Sequence, residues 1–373
     1  MRIDRIEVRH VTMPLLYPWR TASHEISAID SLLVRVTSGE LEAWAESCPF
    51  GTPDYSPEYA AGAFAVLRDW LAPAVVGTGI GSGGLLQQRL SHFKGNYFAK
   101  AALDAAWWVL EARRVGKPLH TLLGGRRNRV EVGADFGVMD SLDELVAAVD
   151  DAVGAGCPRV KLKFRPGWDL DMLEAVRSTF PDLTAHIDCN AAFRLSDLDL
   201  FRAVDRYELA MIEQPLQHDD LLDHAKLQER IDTPICLDES IVSVKSAEHA
   251  IELGSCRYVN VKPGRVGGLT VAKSVHDLCR DAGIGCWVGG MLESGVGAAI
   301  CLALATLENF TYPADIFPAS RFYAEDLAEP AVSFETSSYG GWHAVAGDEP
   351  GIAPAPKPDL LEQLTADRFV IEA

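Results

Sequence analysis

Five charged residues recur at almost constant spacing, and they limit what this chain can fold into. Lys163, Asp188, Glu213, Asp238 and Lys262 stand 25, 25, 25 and 24 residues apart. Each closes a short apolar run: Val160-Lys161-Leu162-Lys163, His186-Ile187-Asp188-Cys189-Asn190, Met211-Ile212-Glu213-Gln214-Pro215, Cys236-Leu237-Asp238-Glu239-Ser240 and Val259-Asn260-Val261-Lys262-Pro263. That interval fits one strand plus one returning helix. Strands are expected over 130–136, 159–164, 184–188, 209–213, 235–238, 258–262, 286–288 and 311–316, with amphipathic helices over 141–155, 169–180, 221–231, 244–253 and 270–282. Eight strands separated mostly by helices predict a parallel (β/α) barrel of roughly 200 residues, near the lower limit for that fold. A doubly wound sheet competes, but it needs a Gly-rich phosphate turn after its first strand, and none is present. One charged residue per unit, always at a strand end, puts all five on one rim, where barrel active sites sit.

The chain has 373 residues, enough for a barrel and an addition. Residues 1–125 mix both periods and predict an α+β unit that caps the barrel. Its strands are expected over 3–13 and 31–36 and its helices over 57–71 and 96–114. Gly116-Lys117-Pro118 stops the second helix, and Gly124-Gly125 marks a boundary. The barrel is expected over 126–325. The Pro- and Gly-rich segment 326–373 holds no further βα unit and is expected to return to the first. A net charge of −19 argues against a nucleic-acid binder. No apolar run of about 20 residues predicts a membrane span, and the start shows no signal peptide. A cytoplasmic protein and a homo-oligomer are expected. The eight cysteines form no C-x-x-C pair and sit in apolar runs, as reduced buried thiols do.

Three adjacent carboxylates, Asp188, Glu213 and Asp238, repel one another unless a cation sits among them. Hard oxygen donors with room for water and substrate suit Mg²⁺, with Mn²⁺ as a substitute. Lys163 and Lys262 flank the triad. A lysine acts as a base only when its pKa is lowered, and a metal, burial and a second ammonium such as Lys161 push that way. A metal between two lysines is a layout for removing the proton next to a carboxylate and stabilising the resulting enediolate. A single strand-end charge is as readily a solvated cap. Five in the order base, acid, acid, acid, base are harder to read so.

Lys161-Leu162-Lys163, Asp188-x-Asn190, Glu213-Gln214-Pro215, Asp238-Glu239-Ser240 and Val261-Lys262-Pro263-Gly264-Arg265-Val266-Gly267-Gly268 resemble the enolase superfamily. Within it they look most like the o-succinylbenzoate synthase / N-acylamino acid racemase family of the muconate-lactonizing subgroup. The resemblance implies a (β/α)7β barrel under a capping domain and Mg²⁺ on Asp188, Glu213 and Asp238. It implies Lys163 as the base and Lys262 as an electrostatic or cation–π stabiliser, or both lysines working from opposite faces in racemisation. Asn190 and Glu239 become partners of the metal site. The segment Tyr17-Pro18-Trp19-Arg20-Thr21 becomes a loop closing over a small carboxylate substrate. Trp19 and Phe322 or Tyr323 would flank an aromatic or acyl group. Gly290, Met291, Glu293 and Ser294, after strand seven, are expected beside the substrate, as is Lys161.

Mandelate-type members use a His after strand seven, and here that stretch reads Cys286-Trp287-Val288-Gly289. Dipeptide epimerases carry Asp-x-Asp at strand eight, and here Pro313-Ala314-Asp315-Ile316-Phe317 has one Asp. A Mg²⁺-dependent synthase remains, eliminating water from a cyclohexadiene carboxylate in menaquinone biosynthesis. The alternatives are an N-acylamino acid (N-succinylamino acid) racemase or another isomerase or cycloisomerase of the subgroup. A non-catalytic barrel would have lost ligands or lysines, and all are present. Arg265, three after Lys262, is expected either to tune that lysine or to form a surface ion pair. Two departures bear on substrate. Asp135 stands where the family usually carries a small hydroxyl residue, and Ile316-Phe317-Pro318 is bulkier than expected.

Overall fold

The computed structural model describes residues 1–22, 24–336 and 342–373. Alternating apolar residues near the N-terminus build an antiparallel meander of Arg5–Arg20, Glu25–Ser38 and Leu41–Ser47. The strand Thr365–Glu372 completes this sheet from the far end of the chain, pairing from Arg5↔Glu372 to Val11↔Thr365. The return of the tail is therefore a strand addition. Helix Tyr97–Arg114 lies on the sheet. Its alanines at 99, 102, 105, 106 and 112 are buried and bring the backbones close, while Phe98, Val109 and Leu110 fill the space between. Each such large apolar side chain contributes about 1.5–3 kcal/mol on burial. The expected 57–71 helix starts at Ala60 and runs on to Val75 through a wider turn at Leu67–Leu71.

The second sheet is parallel and sequential: Ala134–Phe136, Val160–Lys163, Ala185–Asp188, Ile212–Glu213, Ile235–Leu237, Tyr258–Val261 and Gly285–Val288. Helices such as Leu142–Gly154, Leu170–Thr179, Val244–Leu253 and Leu269–Asp281 connect its strands. The expected eighth strand over 311–316 is not continuous. The chain there makes single parallel bridges, Cys286↔Phe310 on one side and Val132↔Ala314 on the other. These bring it against the edge strand Gly285–Val288 on one side and against the residues just before the edge strand Ala134–Phe136 on the other, giving the (β/α)7β arrangement.

The expected strand 130–136 is divided at Gly133. Arg129–Val132 pairs antiparallel with Trp342–Val345, and only Ala134–Phe136 enters the barrel. The break has a steric cause. The fully buried Arg159 side chain crosses Gly133, and a Cβ there would collide with its guanidinium. All eight cysteines are free and buried. Among the described residues no helix is long and apolar enough to cross a membrane.

Candidate active site

Parallel register carries the sequence spacing into space. Lys163 lies opposite Asp188, and Asp188 opposite Glu213, on neighbouring strands. Asp238 follows Ile235–Leu237 directly, and Lys262 follows Tyr258–Val261. All five side chains are buried at one end of the barrel.

The charges interleave. Lys163 Nζ donates to Asp188 Oδ2 at 2.7 Å. Lys161 Nζ lies 2.9 Å from both Asp188 Oδ2 and Glu213 Oε2, and 3.4 Å from Asp315 Oδ2. Lys262 Nζ donates to Asp238 Oδ2 at 2.8 Å and to the Tyr55 hydroxyl at 3.1 Å. Burial alone would raise the carboxylate pKa values, but Lys161 and Lys163 outweigh it and hold Asp188 far below its usual range. Burial and Asp188 likewise push Glu213 up, yet Lys161 and His186 bring it down overall. Lys161 is raised well above an ordinary lysine because four carboxylates overcome its desolvation. The second ammonium expected beside Lys163 is thus held by carboxylates. Lys262 is raised too, burial being outweighed chiefly by Tyr55 and the carboxylates Glu213 and Glu239.

Arg265 is not a surface ion pair. It is fully buried, binds Asp238 through its guanidinium, and donates to the Tyr55 hydroxyl at 3.0 Å and the Ile241 carbonyl at 2.8 Å. It reaches Lys262 only through Tyr55 and Asp238. Asn190 sits beside the carboxylates as expected. Its N–H donates to Asp188 Oδ1 at 3.0 Å and its amide to Glu239 Oε1 at 3.3 Å. Burial, with Asp188 nearby, pushes Glu239 up to about 7.

Asp135 points into the cavity between the lysines. Its Oδ2 is 3.9 Å from Lys163 Nζ, and its Oδ1 has no hydrogen bond. Burial raises its pKa against the pull of Lys163 and Lys161. Trp19 lines the cavity and stacks edge-on against Phe322 with centroids 5.6 Å apart. It lies at the end of the strand Arg5–Arg20, after an irregularity between Pro14 and Trp19, so the expected loop 17–21 is largely strand. Tyr323 is spent elsewhere, donating to the Leu292 carbonyl.

Gly290 and Met291 line the cavity, whereas Glu293 and Ser294 do not. Ser294 caps helix Gly295–Ala305 and donates to Glu46 of the antiparallel sheet. Glu293 accepts from the Met291 N–H at 2.8 Å and meets Cys301. Ser294 thereby ties the two layers together from behind the cavity wall.

Sequence reasoning missed Tyr55, Asn260 and the structural role of Arg159. Asn260 donates to Glu213 Oε1 at 2.6 Å. Its signal was available, because it lies two residues before Lys262 and shares its strand face. Arg159 anchors Asp315, which in turn meets Lys161. Tyr55 lies between strand and helix in an irregular stretch without periodicity.

Among the described residues no three His, Cys, Asp or Glu side chains converge as a ready metal site, since ammonium groups stand between the carboxylates. The donor set nevertheless fits a hard divalent cation. It offers three buried carboxylates from successive strands. Glu213 Oε2, fully buried, meets Lys161 without hydrogen-bond alignment.

The family comparisons agree with this geometry. Residues 144–358 match the enolase C-terminal domain-like family, and residues 4–124 the mandelate racemase / muconate lactonizing enzyme N-terminal domain. An o-succinylbenzoate synthase from Geobacillus stearothermophilus is 42% identical over 94% of this chain and 93% of its own. An N-succinylamino acid racemase from Amycolatopsis sp is 41% identical over 100% of both. A solved enolase-superfamily member from Listeria innocua superposes with a TM-score of 0.94 at 34% identity, covering 100% of this chain and 99% of that one. The chain belongs to the enolase superfamily, in the group of o-succinylbenzoate synthases and N-succinylamino acid racemases.

Proposed function

We propose that this protein is a divalent-metal-dependent o-succinylbenzoate synthase, eliminating water from a cyclohexadiene carboxylate in menaquinone biosynthesis. The observation that carries this is the buried rim on which Lys163 and Lys262 each lie within 2.8 Å of a carboxylate, Asp188 and Asp238, from opposite sides of the triad. The similarity to synthases at 37–42% identity over most of the chain supports it. In this reading Asp188, Glu213 and Asp238 hold Mg²⁺ or Mn²⁺, as is general in the superfamily. The cation supplies positive charge to the substrate's carboxylate oxygens. Lys163 takes the α-proton and then returns a proton to the departing hydroxyl. Lys262, held by Asp238 and stacked 4.5 Å from the Tyr55 ring centre, stabilises negative charge on the opposite face. Asn190, Asn260 and Glu239 orient the carboxylates. Trp19, Gly290, Met291 and Phe317 shape the cavity and exclude water.

The near-equivalent placement of the two lysines favours a second reading, racemisation of N-succinylamino acids, in which each lysine serves one face. Incubation of the purified protein with the synthase substrate and Mg²⁺ tests the first. Loss of diene absorbance faster than in an EDTA control is expected. Absence of any change, with α-proton exchange of both N-succinylamino acid enantiomers in D₂O, would replace it with the second.

A further inference from the structure

Asp135 is 7% exposed and lines the cavity, yet its Oδ1 accepts no hydrogen bond from the described residues. The other two carboxylates on the cavity wall are matched. Asp188 accepts from Asn190 and Lys163, and Asp315 accepts from Arg159 and Lys161. Among the described residues the nearest cation to Asp135 is Lys163, 3.9 Å from its other oxygen and beyond hydrogen-bond length. Its backbone is fixed, because Arg321 binds its carbonyl and its strand pairs with Val160–Lys163. A buried acceptor left without a donor is costly, and more so when charged. A ligand that brings a donor recovers that cost, and one that does not leaves it in place.

We propose that Asp135 is a specificity-determining residue whose carboxylate accepts a hydrogen bond from an N–H on the substrate's α-carbon, selecting N-acylamino acids over carboxylates that lack the donor. The inference rests on the second reading, an N-succinylamino acid held with its α-carbon beside Lys163, and not on the dehydration. A nitrogen on that carbon is one bond from the proton site, and Asp135 is the acceptor nearest that lysine on the strand Ala134–Phe136. The negative oxygen also opposes an ester or ether oxygen in the same position, so discrimination has an attractive and a repulsive part.

The test compares an N-succinylamino acid with the O-succinyl ester of the matching 2-hydroxy acid, which exchanges N–H for O. Affinities are measured by calorimetry with Mg²⁺ present for the wild type, Asp135→Ala and Asp135→Asn. The amide-to-ester affinity ratio is expected to fall at least about tenfold in Asp135→Ala. It is expected to stay within about threefold of the wild type in Asp135→Asn, which keeps an acceptor oxygen. An unchanged ratio in Asp135→Ala overturns the proposal. So does equal weakening of both ligands, which would mean that Asp135 serves only to pair Lys163. Slowed dehydration with an unchanged ratio would assign the donor to the departing hydroxyl and overturn it as well. Exchange of the α-proton is followed on the same samples. Binding that depends on Asp135 without any exchange would remove the catalytic reading and leave this one standing.

Discussion

One hydroxyl organises half of the charged rim. Tyr55 donates to Asp238 Oδ1 at 3.0 Å while accepting from Lys262 and Arg265. Its oxygen sets where the Lys262 ammonium sits relative to the triad, and its ring lies beneath the same ammonium. Tyr55→Phe keeps the ring and removes the oxygen, leaving two buried cations each short of an acceptor. A loss of roughly 1–3 kcal/mol in transition-state stabilisation is expected, about a five- to 150-fold fall in kcat/KM. Steady-state kinetics beside a melting curve separates this from unfolding, and unchanged kinetics would leave Tyr55 a packing residue. The residue was not legible in advance because Phe50-Gly51-Thr52-Pro53-Asp54-Tyr55-Ser56-Pro57 has no period that says which side chain turns inward. The lysines and carboxylates were legible because a strand end has a fixed place in a barrel.

At the scale of elements, the first barrel strand depends on one glycine. Gly133 lets Arg159 pass over the backbone to reach the Pro313 carbonyl, the Ala134 carbonyl and Asp315. That guanidinium joins strands one and two to the eighth segment, which lacks a ladder of its own. Gly133→Ala is expected to displace Arg159 and cost about 1–3 kcal/mol, read as a lower Tm, together with reduced activity as Asp315 loosens from Lys161. An unaltered Tm would show that the strand shifts without consequence. The division at Gly133 could not be read from sequence, because the partner of Arg129–Val132 is Trp342–Val345, far along the chain. The same holds for the edge strand Thr365–Glu372, whose mostly exposed side chains carry a weak apolar pattern. Glu293 and Ser294 are expected beside the substrate with Gly290 and Met291, in the segment after strand seven on which the family resemblance partly rests. The helix start at Gly295 instead turns Ser294 to its capping role.

Across the whole molecule, buried carboxylates of the antiparallel layer grip the barrel at helix starts. Glu46 accepts from the Ser294 hydroxyl and N–H and from the Gly297 N–H. Asp104 accepts from the Thr270 N–H at 2.9 Å. Burial, with Glu293 as a like charge nearby, pushes Glu46 from 4.5 up to about 7 despite those bonds. A carboxyl whose folded pKa is raised favours folding while protonated. Between pH 4.5 and 7 the unfolded chain loses this proton and the folded chain keeps it, so stability falls as pH rises. Glu46→Gln, which resembles the protonated form, is expected to lose less Tm than the wild type between pH 5 and pH 8. The difference corresponds to about 1–3 kcal/mol. Parallel Tm curves would mean that Glu46 is ionised throughout. The two-layer plan was legible from the change of periodicity near residue 125, but these contacts join positions hundreds of residues apart that no local pattern relates.

The central claim is that Lys163 removes the α-proton on a rim charged by Asp188, Glu213 and Asp238. The most direct measurement is dehydration of the synthase substrate by Lys163→Ala, with folding checked by its melting curve and Mg²⁺ held constant. The account expects a folded protein whose rate is lower by about 10²–10⁴-fold or more. A folded Lys163→Ala protein that dehydrates the substrate within about threefold of the wild type, far inside that range, would contradict it.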